Sequence, residues 1–281
     1  MINIGGDLRP TQKDSRDFKL GAIAKLEPAP LVDFLVYEPK QKDQGQTQRC
    51  AGYACSSLVE AHELVPVSAD YIYGKAKELA GDRGYGTELR NVLKAVTKFG
   101  AIEETEWQES LDDDQILDWW KWNEKYDPIA CKHRQKTYFK VTGTGDLFDQ
   151  ITSSLWRFRA SRHICLTGTL WYADWTYSKI INSVWTNEIG GHAVQIIGQK
   201  IINGVPYLVI QNSYGPTVGE NGRHYFSREV VNACFKPYGV YMILDLTKEE
   251  AEALLKDTQI TIMTKIVEVL KSLIGLLTKT K

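Results

Sequence analysis

Apolar residues recur at helical spacing in the first half of the chain and at strand-like spacing in the second. Leu89, Val92, Leu93, Val96 and Phe99 fall at i, i+3, i+4, i+7 and i+10, the stripe of an amphipathic helix. Thr87 is placed to cap that helix and Gly100 to end it. Residues 50–64 are rich in Ala, Leu and Val and stop short of Pro66, which predicts a buried central helix. Ser68-Ala69-Asp70 opens another, reaching to about Leu79, and 81–86 is a glycine-rich loop. From Tyr138 onward the apolar runs are short and β-branched or aromatic: 164–168, 193–197, 207–211, 224–226 and 240–244. A helical first half followed by a β-rich second half predicts an α+β fold.

The ends of the chain follow neither pattern. Residues 1–30 are polar and broken by Gly5, Gly6, Pro10, Pro28 and Pro30, as in an extended arm laid over the surface. A domain is expected over 31–246 and an amphipathic helical tail over 247–281. Thr247 and Glu250 suit a helix start. Met263, Ile266, Val267, Leu270, Leu273, Ile274 and Leu277 then form one stripe near a 3.5-residue period. That stripe either docks on the domain or pairs, through 260–277, with a partner or a second copy. Contact of this basic helix with a membrane surface ranks behind those two, and Lys265, Glu268 and Lys271 interrupt it too often for a spanning segment. Between the halves, Asp112 to Asp114 precede Trp119, Trp120 and Trp122. A short helix or insertion is expected there, with the aromatics serving local packing before any ligand groove.

Composition sharpens this in two ways. The net charge of −1 excludes nucleic acid as a main partner. The five cysteines are odd in number and form no CxxC pair, so neither a disulfide framework nor a metal site is expected. The first residues have no basic start and no apolar run, hence no secretory signal, and free thiols in a reducing cytoplasm are the simplest expectation.

One cysteine stands in a chemical setting. Cys50 opens the predicted central helix, where the positive end of the helix dipole favours a thiolate. Gln44, followed by Gly45, lies six residues earlier and carries an amide able to donate to a developing oxyanion. A thiol nucleophile needs an oriented base, and His192 and Asn212 are the candidates. Between them Asn203-Gly204 predicts a type I′ hairpin turn. Counted back from an Ile202–Val205 pair, Asn212 would sit opposite Gln195, three residues from His192, a gap that a bulge or bend would close.

These blocks, in this order, resemble those of the papain-like cysteine peptidases, and most closely the bacterial and phage branch of that family. They are Gln44-Gly45, Cys50-Ala51-Gly52-Tyr53, His192-Ala193-Val194, Asn212-Ser213-Tyr214-Gly215 and Val218-Gly219-Glu220-Asn221-Gly222, with Val32-Asp33-Phe34 near the start. The resemblance covers about residues 30 to 245. It implies a two-lobed papain-like fold, a helical lobe and a β-barrel-like lobe, with the cleft between them. It implies Cys50 as nucleophile, His192 as general base and acid, Asn212 as its orienting partner, and Gln44 with the Cys50 N–H as oxyanion hole. Tyr85, Gly86, Gly191 and Tyr214 take substrate-binding places; no cofactor or metal is implied. The substrate would be a protein or a peptide, a bacterial cell-wall peptide among them, and a phage virion or other assembly is an expected location besides the cytoplasm. Activity is then expected to be limited by placement, since residues 1–30 are too few for the family's helical pro-domain.

Departures from the family pattern also carry expectations. Thr47 replaces a disulfide cysteine. Ala51 replaces the tryptophan after the nucleophile, Tyr214 the tryptophan shielding the His–Asn bond, and Val218 a second tryptophan nearby. They predict a more solvated, less supported site. The competing reading is a catalytically weak or inactive papain-like protein serving structure or binding. Cys55, Cys131, Cys165, Cys234, His62, His133, His163 and His224 have no motif of their own and are expected to be structural.

Overall fold

The computed structural model describes residues 7–184, 187–247 and 249–253. After one helical turn, α1 (Leu20–Ile23), and a short strand, β1 (Phe34–Leu35), the chain enters the three helices that the apolar periodicity predicts. They are α2 (Cys50–Glu63), α3 (Ala69–Ala80) and α4 (Leu89–Lys98). α2 is buried along most of its length, which its small residues permit. At Gly52 a Cβ would lie 2.4 Å from the Ala69 carbonyl oxygen, so α2 and α3 touch backbone to backbone there. Ser68 caps α3 by accepting the Tyr71 N–H at 3.2 Å. Thr87 does not cap α4: the N-cap is Glu88, and the Thr87 hydroxyl accepts the Asn91 side chain at 3.1 Å instead. Gly100 takes φ +97° beyond the helix end, with no room for a Cβ beside the Ala130 carbonyl oxygen.

Residues 111–130 form two tight turns and α5 (Asn123–Ala130). Their aromatics build a second core. Trp122 packs on Tyr71 and Trp107, and Trp107 packs on Tyr126 at 4.5 Å between ring centroids. Packing, rather than a ligand groove, accounts for Trp122; Trp120 is exposed.

The second half contributes β2 (Thr137–Lys140), α6 (Leu147–Phe158), β3 (Cys165–Tyr172), β4 (Ile180–Ile181), β5 (Glu188–Ile202), β6 (Val205–Gln211), β7 (Arg223–Ser227), α7 (Arg228–Cys234) and β8 (Val240–Leu244). One sheet runs β2-β8-β3-β5-β6-β7-β4, with β1 also on β5. The fold is α+β, a helical lobe against a sheet lobe. The simple division into halves needs correction, because α6 and α7 lie within the strand-rich half. α6 is set by its own signals: Asp146 accepts the Asp149 N–H at 3.0 Å, and Phe148, Ile151 and Leu155 bury one face.

The β5–β6 hairpin follows the Asn203-Gly204 signal. Both residues have positive φ, 52° and 79°, and Ile202 pairs with Val205. The register then shifts between Ile196 and Gly198, leaving Gln195 opposite Gln211. This bulge advances Asn212 by one residue toward His192. At the far end, Thr247 and Glu250 cap one another reciprocally, at 2.7 and 3.1 Å. The stripe at 260–277 lies outside the described residues. Among those described, no helix is long and apolar enough to cross a membrane.

Candidate active site

The site forms where the N-terminus of α2 meets the start of β5. Cys50 is the first residue of α2. Its thiol faces the backbone N–H groups of Ala193, Ala51 and its own residue, three donors suited to a thiolate. The preceding residue locks this end in place. Arg49 is 1 % exposed and pairs with Asp70 and Asp113 at 2.7 Å each, while also donating to the Leu111 carbonyl. The acidic run 112–114 thus supplies part of the support that Ala51 does not.

Gln44 reaches the site through an antiparallel bridge of its neighbour Asp43 with Tyr214, and through its N–H to the Ser213 carbonyl at 2.7 Å. Its Oε1 accepts the Ser213 hydroxyl at 2.6 Å, and its Nε2 donates to the Thr47 carbonyl at 2.7 Å. A primary amide has two N–H donors, so one remains for an oxyanion. Thr47 therefore holds the glutamine from the position where the family has a disulfide cysteine.

His192 lies in β5 opposite Thr169. It and Asn212 are both 0 % exposed. Tyr214 stacks on the His192 ring at 4.3 Å between centroids. Trp171, from β3, meets His192 edge-on at 5.1 Å and Tyr214 at 5.8 Å. The expected solvation of this pair is thus overturned: Tyr214 itself and a tryptophan arriving from another strand shield it. Among the described residues, the His192 ring nitrogens have no protein hydrogen-bond partner. Asn212 instead accepts the Tyr214 N–H at 2.8 Å and donates through Nδ2 to His224 at 2.5 Å. His224, expected from the sequence to be structural, is thus a direct partner of Asn212.

The arm does not stay on the outer surface. Asp7 pairs with Gly191, the Leu8 N–H donates to the Gly191 carbonyl at 3.0 Å, and the Arg9 N–H to the Thr87 carbonyl at 3.0 Å. A Cβ on Gly86, whose φ is +70°, would lie 1.8 Å from the Asp7 carbonyl oxygen, and one on Gly191 2.1 Å from that of Leu8. These two glycines, expected from the sequence to bind substrate, flank the arm. Leu8, 4 % exposed, packs over Gly168 and Tyr238, two residues that no motif marked. Tyr85 is exposed; its carbonyl accepts Arg9 at 2.8 Å and its hydroxyl donates to Asp114. With the cleft covered, burial pushes the Cys50 thiol up to about 11, with the Asp7 carboxylate adding to it, and pushes His192 down to about 3. In the covered site burial thus favours the neutral thiol and the neutral imidazole.

A family model described as papain family cysteine protease matches residues 86–241, more than half of the chain. The chain belongs to that family. Its fold matches xylellain, a cysteine protease of Xylella fastidiosa, with a TM-score of 0.68 at 21% identity, covering 86% of this chain and 96% of the other. A procathepsin B of Trypanosoma congolense matches with a TM-score of 0.60 at 15% identity, covering 85% of each chain. In sequence, a viral cathepsin of Lymantria dispar multicapsid nuclear polyhedrosis virus is 43% identical over 58 residues, a stretch spanning 21% of this chain and 16% of the viral protein.

Proposed function

We propose that this papain-family chain is a cysteine endopeptidase acting on extended polypeptide. The observation that carries the reading is the segment Asp7–Arg9. It is extended chain, bonded through its main chain to the rim of the cleft where Cys50 opens α2. Recognition of that kind suits a peptide backbone.

In the proposed reaction, His192 takes the Cys50 proton and the sulfur attacks the scissile carbonyl carbon. A C–S bond forms, and the carbonyl electron pair moves to oxygen. That oxyanion is met by the free N–H of Gln44 and the Cys50 N–H. Its collapse breaks the C–N bond, and His192 protonates the departing amine. Water then loses a proton to His192, attacks the acyl carbon and releases the acid, and sulfur regains its proton. Asn212 orients His192 once the ring N–H turns toward its Oδ1.

A second reading, a non-catalytic binding protein, draws on the neutral forms that burial favours and on Asn212 being bonded to His224. Alkylation by iodoacetamide near neutral pH separates the two. A peptidase shows Cys50 modified faster than buried Cys55, Cys165 and Cys234, loses that preference in His192→Ala, and cleaves members of a peptide library. Equal slow modification with no cleavage supports the binding protein.

A further inference from the structure

The hydrogen bonds around Asn212 continue one residue further than the catalytic set. His224 Nδ1 lies 2.7 Å from the Ser178 carbonyl oxygen, which can only accept, so Nδ1 carries the proton. In a neutral ring Nε2 is then a lone pair, and it faces Asn212 Nδ2 at 2.5 Å. The Tyr214 N–H meets Asn212 Oδ1 at 2.8 Å. Both contacts demand the same amide orientation. A flipped amide would set oxygen against the His224 lone pair and NH2 against the Tyr214 N–H.

We propose that His224 is a positioning residue, which holds the Asn212 amide so that its Oδ1 is presented for the His192 ring. This rests on the endopeptidase reading for its consequence in catalysis, though not for the orientation itself. The surroundings are built for this imidazole. Trp171 meets the His224 ring at 5.1 Å, the same distance as its contact with His192, so one indole spaces the two rings. A Cβ on Gly219, whose φ is +54°, would come within 2.8 Å of the imidazole, so only glycine leaves space for it. Trp171 is itself pinned by its indole N–H to the Thr176 hydroxyl at 3.2 Å, in the turn that supplies Ser178. His224 lies at a β7 position whose alternation with Phe226 reads as core, which is why its sequence context gave no sign of a polar task.

The protonation state fits. Burial lowers His224 to about 4 against the opposing pull of the Ser178 carbonyl. Among the described residues the titratable group facing it is His192 on β5; Trp171 on β3, Ser178 and Gly219 in the adjoining loops and Asn212 after β6 carry no charge. Near neutral pH the ring therefore accepts from Asn212. At a pH below about 4 it would become a donor, and the amide would lose its anchor.

The test uses the full chain with two substitutions. His224→Leu removes the acceptor; His224→Gln restores an oxygen for Asn212 and an N–H for Ser178. For peptide hydrolysis, His224→Leu is expected to lower kcat roughly 10- to 100-fold with KM unchanged, and His224→Gln to recover most of it. An unchanged kcat in His224→Leu, or a His224→Gln as impaired as His224→Leu, overturns the proposal. If the unaltered protein cleaves no peptide, the endopeptidase reading fails separately. The orientation is then decided by long-range 15N–1H spectra of the unaltered protein. They are expected to show His224 as the Nδ1–H tautomer across pH 5 to 9, and an Nε2–H tautomer overturns it.

Discussion

Leu8→Ala is the sharpest perturbation of the covered site. Leu8 is 4 % exposed, and its side chain fills the space over Gly168 and Tyr238. Burying a leucine is worth about 1.5–3 kcal/mol, so truncation to alanine should weaken docking of the arm by about 2 kcal/mol. The main-chain bonds from Leu8, Arg9 and Thr11 survive the change. Two kcal/mol corresponds to roughly a 30-fold rise in the uncovered fraction. If iodoacetamide reaches Cys50 only with the arm displaced, its alkylation rate rises by about the same factor. Mass spectrometry of the peptide bearing Cys50 reads this directly, and exposed Cys131 is an internal reference whose rate should not move. Arg9→Ala calibrates the effect. Its ion pair with Asp82, at 48% and 33% exposure, and its bond to the Tyr85 carbonyl both lie at the surface and together are worth about 1 kcal/mol. The effect should therefore stay below roughly 5-fold. Equal Cys50 rates in the unaltered protein and Leu8→Ala, or a larger effect from Arg9→Ala, would refute the reasoning.

Gly86→Ala places a Cβ against the Asp7 carbonyl and strains a φ of +70°; Cys50 alkylation should quicken while KM for peptides rises, and a slower alkylation contradicts this. Arg49→Ala leaves Asp70 and Asp113 facing each other without their cation, at a cost of about 3 kcal/mol. A fall in Tm of roughly 6 to 12 °C is expected by calorimetry, and a change under 2 °C would dismiss the pair as a structural anchor. Burial lowers His192 to about 3 and His163 and His224 to about 4, from an ordinary 6.5. The unfolded chain thus binds protons that the fold excludes. The stability from these groups is whole above about pH 6.5 and is lost as pH falls toward 4, at about 1.4 kcal/mol per unit for each histidine. Urea midpoints at pH 7 and pH 4.5 should differ accordingly, and equal midpoints would be the contrary result.

Much of this architecture was legible because local signals and tertiary packing agree. The stripe from Leu89, the Ser68 cap and the Asn203-Gly204 turn each fix an element by chemistry within a few residues. α6 was missed because a polar start at Asp146 and the run Thr152-Ser153-Ser154 within it mute its apolar face. Cys50, His192, Asn212 and Gln44 could be named from their blocks, yet their partners could not. The Thr47 carbonyl, Trp171, Gly168, Tyr238 and His224 act through geometry that the sheet register creates. The bulge at Ile197 shows why. One unpaired residue, beside a Gly198 that does not itself reveal the size or direction of the shift, moves every position beyond it and decides which side chains meet.

The arm is fastened only a short way from the cleft. Asp17 and Arg90, both nearly fully buried, form an ion pair at 2.6 Å, and the Lys140 N–H donates to the Phe18 carbonyl at 2.8 Å. The stretch between Asp7 and Asp17 is therefore a tether, and the covering segment competes at an effective concentration on the order of millimolar. Diluting the protein does not release it. In the proposed peptidase an incoming polypeptide would see an affinity reduced by the uncovered fraction alone, so the tether would raise KM and leave kcat untouched. Only a ligand whose grip on the bare cleft exceeds that local concentration displaces the arm, which makes the tether a threshold for weak, chance peptides.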